Sequence, residues 1–206
     1  MRVNQVESLL QPGDVLFTSI ANFLYRRVAK ATGSTVSHVG IAFHDSKTGW
    51  LVAESGVPTV RYSTVADFIS RSDRGWLAVR RMRGGLSTKQ IASLRQECDV
   101  RMGTLYHLGF DYESSRQFCS KFVYQTFLAA LQIEIGNIQS FATLLNSLPD
   151  TPLLFWRLWF MGKIPWTRLT VTPASQLLSD KLETIWQPPA SLKSNQGFSQ
   201  DIEIAA

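Results

Sequence analysis

The chain has 206 residues, 45% hydrophobic and 18% charged, with a net charge of +5. That length suits one compact domain, and the apolar fraction can fill its core, which excludes a globally disordered chain. No internal repeat shows, which excludes solenoids and propellers, and no apolar run reaches the roughly 18 residues of a membrane-spanning helix.

Residues 1–10 carry Arg2 but no apolar stretch with a small-residue cleavage site, so no secretory signal is read there. The expected compartment is therefore the cytoplasm, with Cys98 and Cys119 as free thiols. A Pro12-Gly13 turn leads into a short strand over residues 13–18. Residues 20–32 read as a helix, with Phe23, Leu24, Val28 and Ala31 near helical spacing and Gly33 placed to end it. Residues 36–43 are almost continuously apolar, the pattern of a strand buried on both faces. The turn residues 45–49 then close a hairpin into a strand over 50–54, and a third strand is expected near 59–62.

Residues 64–70 read as a short helix with Val65, Phe68 and Ile69 inward, and 76–81 as a strand. Ser87-Thr88-Lys89-Gln90 matches a capping box and opens a helix toward Arg101. A loop over 102–117 precedes a helix that starts at Phe118 or Cys119, with Phe122, Val123, Phe127, Ala130 and Leu131 as its buried stripe. Residues 138–146 read as another helix. The signal weakens over the last thirty residues or so, and residues 188–206 have the composition of a flexible tail. Strands and helices mix without a regular βαβ alternation, so the fold class is α+β, in a single domain over 1–187.

The charge is uneven. Between Arg61 and Arg101 nine basic residues stand against four acidic ones. This reads as a solvated, loosely paired surface; no zinc-finger spacing or aromatic RNA-binding signature accompanies it, so no specific nucleic-acid partner is expected. Residues 153–166 (LLFWRLWFMGKIPW) combine aromatic and basic residues. They suit either an aromatic core helix packed on the sheet or a membrane-interface or acyl-chain segment with Trp156 and Trp159 as contacts. The polar loop 110–118 is either a substrate-contact segment or a plain connection.

His38 lies inside the buried strand, and Glu54 follows 16 residues later at the end of the next strand. Across an antiparallel hairpin the two can meet, and a carboxylate beside an imidazole fixes its tautomer and stabilises its charged form. Cys119 stands at a helix start, where unpaired N–H groups and the helix dipole favour thiolate and can cradle an oxyanion. The plainer reading is a small core cysteine and a hydrogen-bonded strand histidine. Cys98, inside a helix between Glu97 and Asp99, is read as non-catalytic, and no paired Cys/His spacing suggests a metal site.

Gly13-Asp14-Val15-Leu16-Phe17, Ser37-His38-Val39-Gly40-Ile41, Ala53-Glu54-Ser55 and Phe118-Cys119-Ser120-Lys121-Phe122-Val123, in that order, resemble the circularly permuted NlpC/P60 superfamily. Within it the likeness is to the YiiX/YebB-like group and most to its YebB branch. It extends through Leu105-Tyr106-His107, Ile164-Pro165-Trp166 and Val171-Thr172-Pro173-Ala174-Ser175 and leaves out the tail. Unpermuted NlpC/P60 enzymes run Cys, His, then a third polar residue; here the order is His38, Glu54, Cys119. The resemblance implies a papain-like core, a central antiparallel sheet packed by helices, in which a helix presents the cysteine against the sheet that presents the histidine.

The implied roles are Cys119 as nucleophile, His38 as base and Glu54 as the residue that orients it. Tyr106, 13 positions before Cys119, resembles a tyrosine that precedes the cysteine in NlpC/P60 relatives. With the flanking Ser37, Phe118 and Ser120 it is expected to contact substrate. The expected function is a thiol hydrolase of amidase or peptidase type, with no metal or organic cofactor, acting on a small-molecule, peptide or lipid substrate that has an amide or ester bond. The alternatives are a lipid-directed acyltransferase or esterase at the inner face of the membrane, and a binding module on a retained papain-like fold.

Overall fold

The structure, a computed structural model, describes residues 3–147 and 153–188. Its main strands are β1 (Val15–Ile20), β2 (His38–Asp45), β3 (Gly49–Ser55), β4 (Val60–Thr64), β5 (Ser72–Met82) and β8 (Leu182–Trp186). They form one sheet in the order β4-β3-β2-β1-β5-β8, and every neighbouring pair is antiparallel. A separate two-stranded ribbon joins β6 (Gln139–Ser140) to β7 (Leu169–Thr170). The helices are α1 (Val3–Glu7), α2 (Phe23–Ala31), α3 (Val65–Ser70), α4 (Thr88–Val100), α5 (Cys119–Leu131), α6 (Phe141–Asn146), α7 (Leu153–Trp159) and α8 (Pro173–Leu177). This is the α+β, mainly antiparallel architecture expected from the sequence.

Alternation along the strands sorts side chains into two layers. Val15, Phe17, Val39, Ile41 and Phe43 pack with Leu94 and Cys98 of α4 and Phe122, Val123 and Phe127 of α5. Leu16, Ala42, Val52, Leu77 and Val79 pack on the opposite face with Val6 of α1 and Val65 and Phe68 of α3. Covering both faces is why β1 and β2 read as continuous apolar runs. Each fully buried large side chain contributes roughly 1.5–3 kcal/mol.

Several boundaries move for local reasons. α2 begins at Phe23 because Ile20 still belongs to β1 and Asn22 caps the helix, its Oδ1 accepting from the Leu24 N–H at 3.0 Å. The helix expected over 138–146 begins at Phe141, since Gln139 and Ser140 pair with β7. β8 and α1 were not anticipated; β8 is an edge strand of mixed polarity on β5. α4 starts where expected, on a capping box between Ser87 and Gln90. The tail over 189–206 lies outside the described residues.

Two readings need correction. α7 does not pack on the sheet; Trp156 joins Ala31, Phe141, Leu145 and Ile164 in a separate cluster. The basic stretch is not loosely paired either. Arg81 pairs with buried Asp14 at 2.7 Å, Arg101 with Glu97 at 2.6 Å, and Arg71 with Glu54 at 2.6 Å. Arg95 lies over the Phe43 and Tyr62 rings. These arginines serve the fold, because each brings its charge to a carboxylate or ring that needs it. No described helix is long and apolar enough to cross a membrane.

Gly40, in β2 between His38 and Ile41, sits where strands approach closely. A Cβ there would lie 2.5 Å from Val52 Cγ1 and 2.9 Å from the Ala53 carbonyl oxygen. Gly40→Ala is therefore expected to destabilise the protein by about 1–3 kcal/mol, measured by chemical denaturation.

Candidate active site

His38 opens β2, and its imidazole packs against Phe68 at 5.5 Å and edge-on to Tyr25 at 5.9 Å. β3 returns antiparallel to β2, with Ile41 opposite Ala53, and this brings Glu54 back to His38. The contact is His38 Nε2 to Glu54 Oε2 at 2.5 Å, with both side chains buried. The other carboxylate oxygen, Oε1, accepts from Arg71 Nη2 at 2.6 Å and from the Ser63 hydroxyl at 2.5 Å, with Arg61 Nη2 at 3.7 Å. Burial alone would raise the Glu54 pKa. The hydrogen bonds and charges of His38 and Arg71 outweigh burial and hold it down to about 2.

Cys119 comes from the opposite layer, as the first residue of α5, after Phe118 in extended conformation. Its Sγ lies 3.9 Å from the Ser37 carbonyl oxygen. With Nε2 bound to Glu54, the ring nitrogen left for the thiol is His38 Nδ1, which is buried and has no hydrogen-bond partner. Burial would push the imidazole pKa down. The neighbouring Cys119, with the hydrogen bond and charge of Glu54, reverses this and raises it to about 9.

Beside Cys119 opens a cleft of about 460 Å³, its mouth included. Its walls are mostly apolar: Val28 and Ala31 of α2, Phe110, Phe141, Leu144 and Trp156. Two phenols reach the thiol end, Tyr25 and Tyr106, and the buried Tyr106 hydroxyl has no hydrogen-bond partner. Burial and the nearby Cys119 charge raise both phenols, Tyr25 to about 12, so both hydroxyls keep their protons at neutral pH.

The structure thus brings His38, Glu54 and Cys119 together, with Tyr106 next to them. Ser37, Phe118 and Ser120 also line the cleft. The hydroxyls of Ser37 and Ser120 are already engaged: Ser37 Oγ accepts from the Ile20 N–H at 2.9 Å, and Ser120 donates to the Val171 carbonyl at 2.8 Å. Ser37 thus accepts one bond and keeps its O–H donor, while the donor of Ser120 is engaged. The loop before α5 is wired to that helix, since buried Lys121 donates to the Ser114 and Arg116 carbonyls. Trp156, read as a membrane contact, is buried in the cleft wall, and Trp159 is half-buried with its indole N–H donating to the Leu108 carbonyl at 3.0 Å. Cys98 is fully buried between α4 and α5, and burial raises its pKa to about 12. Tyr25, Ser63 and Arg71 were missed. Arg71 had been counted in the basic surface, and nothing in the local pattern sets Tyr25 or Ser63 apart.

A helix-borne cysteine set against a strand-borne histidine and carboxylate, with the cysteine last in the chain, defines a permuted papain-like protein. Residues 9–186 match the family described as permuted papain-like amidase enzyme, YaeF/YiiX, C92 family, and the chain belongs to it. The uncharacterized protein YiiX of Escherichia coli (strain K12) is 29% identical over 129 residues, covering 63% of each chain. The crystal structure of metalloprotein yiiX from Escherichia coli O157:H7 superimposes with a TM-score of 0.80 at 27% identity, over 86% of this chain and 97% of that one. The alignment spans just under two thirds of the curated relative's length, and the family is described as one of amidases.

The two pKa displacements act in opposite directions with pH. His38 is raised from 6.5 to about 9, so its contribution to stability is complete below pH 6.5 and is lost as pH rises through 9. Glu54 is lowered from 4.5 to about 2, so its contribution is present above pH 4.5 and is lost as pH falls toward 2. The stability gap between wild type and His38→Gln should therefore narrow from pH 6.5 to 9 in denaturant titrations. Arg71→Gln removes the cation on Glu54 Oε1 and should raise the Glu54 pKa by roughly one to three pH units, seen as an upward shift of the acid limb of stability in denaturant titrations, while Arg71→Lys moves it less. A uniform loss of stability with no shift of that limb would count against this role for Arg71.

Proposed function

We propose that the protein is a thiol amidase in which Cys119 is the nucleophile, His38 the proton carrier and Glu54 the residue that orients and charges His38. The observation that carries this reading is the divided imidazole: Nε2 bound to a buried carboxylate, and a buried, unpartnered Nδ1 beside a cysteine at a helix start.

In the proposed reaction His38 Nδ1 holds the thiol proton before Sγ bonds to the amide carbonyl carbon, in keeping with its raised pKa. The oxyanion that forms faces the N–H groups of the first turn of α5, which lack intrahelical acceptors, and the hydroxyl of Tyr106. Collapse breaks the C–N bond, and the leaving amine takes the proton from His38. The thioacyl group on Cys119 then passes to water, with His38 removing the water proton, or to another acceptor in acyl transfer. Glu54 stays ionised throughout and stabilises the imidazolium, as a buried aspartate does in a serine-protease triad.

The apolar cleft supports an apolar acyl group on the substrate, whether amide or ester. The solved YiiX relative is described as a metalloprotein. In this chain the described residues assemble no group of three or more His, Cys, Asp or Glu able to hold a metal. The donors among the described residues do not fit a resident metal.

The test is hydrolysis of N-acyl p-nitroanilides of increasing acyl length. Cys119→Ala should lower kcat/KM at least about 10³-fold, and Cys98→Ala should leave it unchanged. Acid quenching should leave the acyl mass on the Cys119 peptide. Turnover that survives Cys119→Ala would overturn the reading.

A further inference from the structure

α7 is apolar on both sides. Its inner side carries Trp156, 2% exposed, while Leu154 and Leu158 on the outer side are each 72% exposed and Met161, just past the helix, is 94% exposed. A helix that is hydrophobic all round is normally covered on all sides, and contiguous exposed apolar surface marks an interaction site. Phe23, 63% exposed at the start of α2, extends the same surface. Its ring meets Phe155 edge-on at 5.5 Å, and the Arg27 guanidinium lies over both rings.

The charge carried on α2, on α7 and just after α7 has one sign. Arg26, Arg27 and Lys30 lie on α2, and Arg157 and Lys163 on and after α7. The sequence has no Asp or Glu from residue 15 to 44 or from 151 to 179. Among the described residues, Arg26 alone of these five is ion-paired, with Asp73 at 3.5 Å. A second copy docked through the same face would set cation against cation. A phospholipid surface offers the complement: anionic headgroups over an apolar interior.

We propose that Phe23, Leu154, Leu158 and Met161 insert into an anionic membrane surface, with Arg27, Lys30, Arg157 and Lys163 on its headgroups. The same two helices supply Val28, Ala31 and Trp156 to the wall of the cleft that leads to Cys119, so docking turns that wall toward the bilayer. Trp156 is not the contact, since it faces inward, and Trp159 is half-buried with its indole N–H engaged. The proposal does not depend on the thiol chemistry, and Cys119→Ala is expected to bind as wild type does.

The experiment is flotation of the full-length protein with phosphatidylcholine vesicles, with and without 30 mol% phosphatidylglycerol as a roughly physiological anionic load. The expected result is binding to the anionic vesicles that weakens with salt. Leu154→Ser/Leu158→Ser should lower it about tenfold or more. Arg157→Gln/Lys163→Gln, which leaves the apolar residues in place, should lower it by a similar factor, at about fivefold per cation. Unchanged Cys119 alkylation in these variants would show that the fold is retained. No binding to anionic vesicles, or binding that neither double variant reduces, would overturn the proposal. So would concentration-dependent dimerisation that the leucine variant abolishes, which would assign the face to a second copy.

Discussion

The site depends on one buried negative charge. Glu54 is completely buried, and a lone carboxylate there would cost several kcal/mol or take up a proton. It remains charged because partners arrive from separate elements: His38 from β2, Ser63 and Arg61 from β4, and Arg71 from the end of α3. Arg61 stands directly opposite Glu54 in the β3–β4 ladder, and Ser63 lies two residues further along the same strand. The strand order β4-β3-β2 is thus also an electrostatic arrangement, and breaking either ladder would leave part of that charge unbalanced. A network of this kind is stable only when every member is satisfied, which ties the geometry of the imidazole to the integrity of the sheet edge.

Much of this was legible in the sequence because it is local. A turn over 45–49 between two apolar runs fixes a hairpin, and a hairpin fixes which residues can meet, so His38 and Glu54 could be paired from spacing alone. The start of α5 was also readable, since its apolar stripe begins next to Cys119. What spacing does not encode is contact between distant segments. Arg71 reads like any surface arginine until α3 turns it back over β3. Tyr25 reads as one more aromatic in an amphipathic helix until α2 crosses the end of β2. β8 alternates too weakly to stand out, and it is a strand because β5 offers it an open edge. The meeting of Cys119 with His38 is of this second kind, and the likeness of ordered motifs to a family, rather than any spacing, pointed to it.

The molecule divides its work between two bodies of packing. The sheet with α4 and α5 forms one dense core, and it fixes His38, Glu54 and Cys119 on rigid elements. The outer wall of the cleft belongs to a separate cluster around Phe141, Trp156 and Ile164, with Val28 and Phe110 packed against it. This wall is held to the rest by few directional bonds, such as Arg168 to the Gly109 carbonyl and Trp159 to the Leu108 carbonyl. Contacts that are few and peripheral open at lower free energy than a packed core does. The breadth of the cleft is thus set by α2, α6 and α7, whereas the positions of His38, Glu54 and Cys119 are set by a sheet edge where one uncompensated buried charge would cost several kcal/mol.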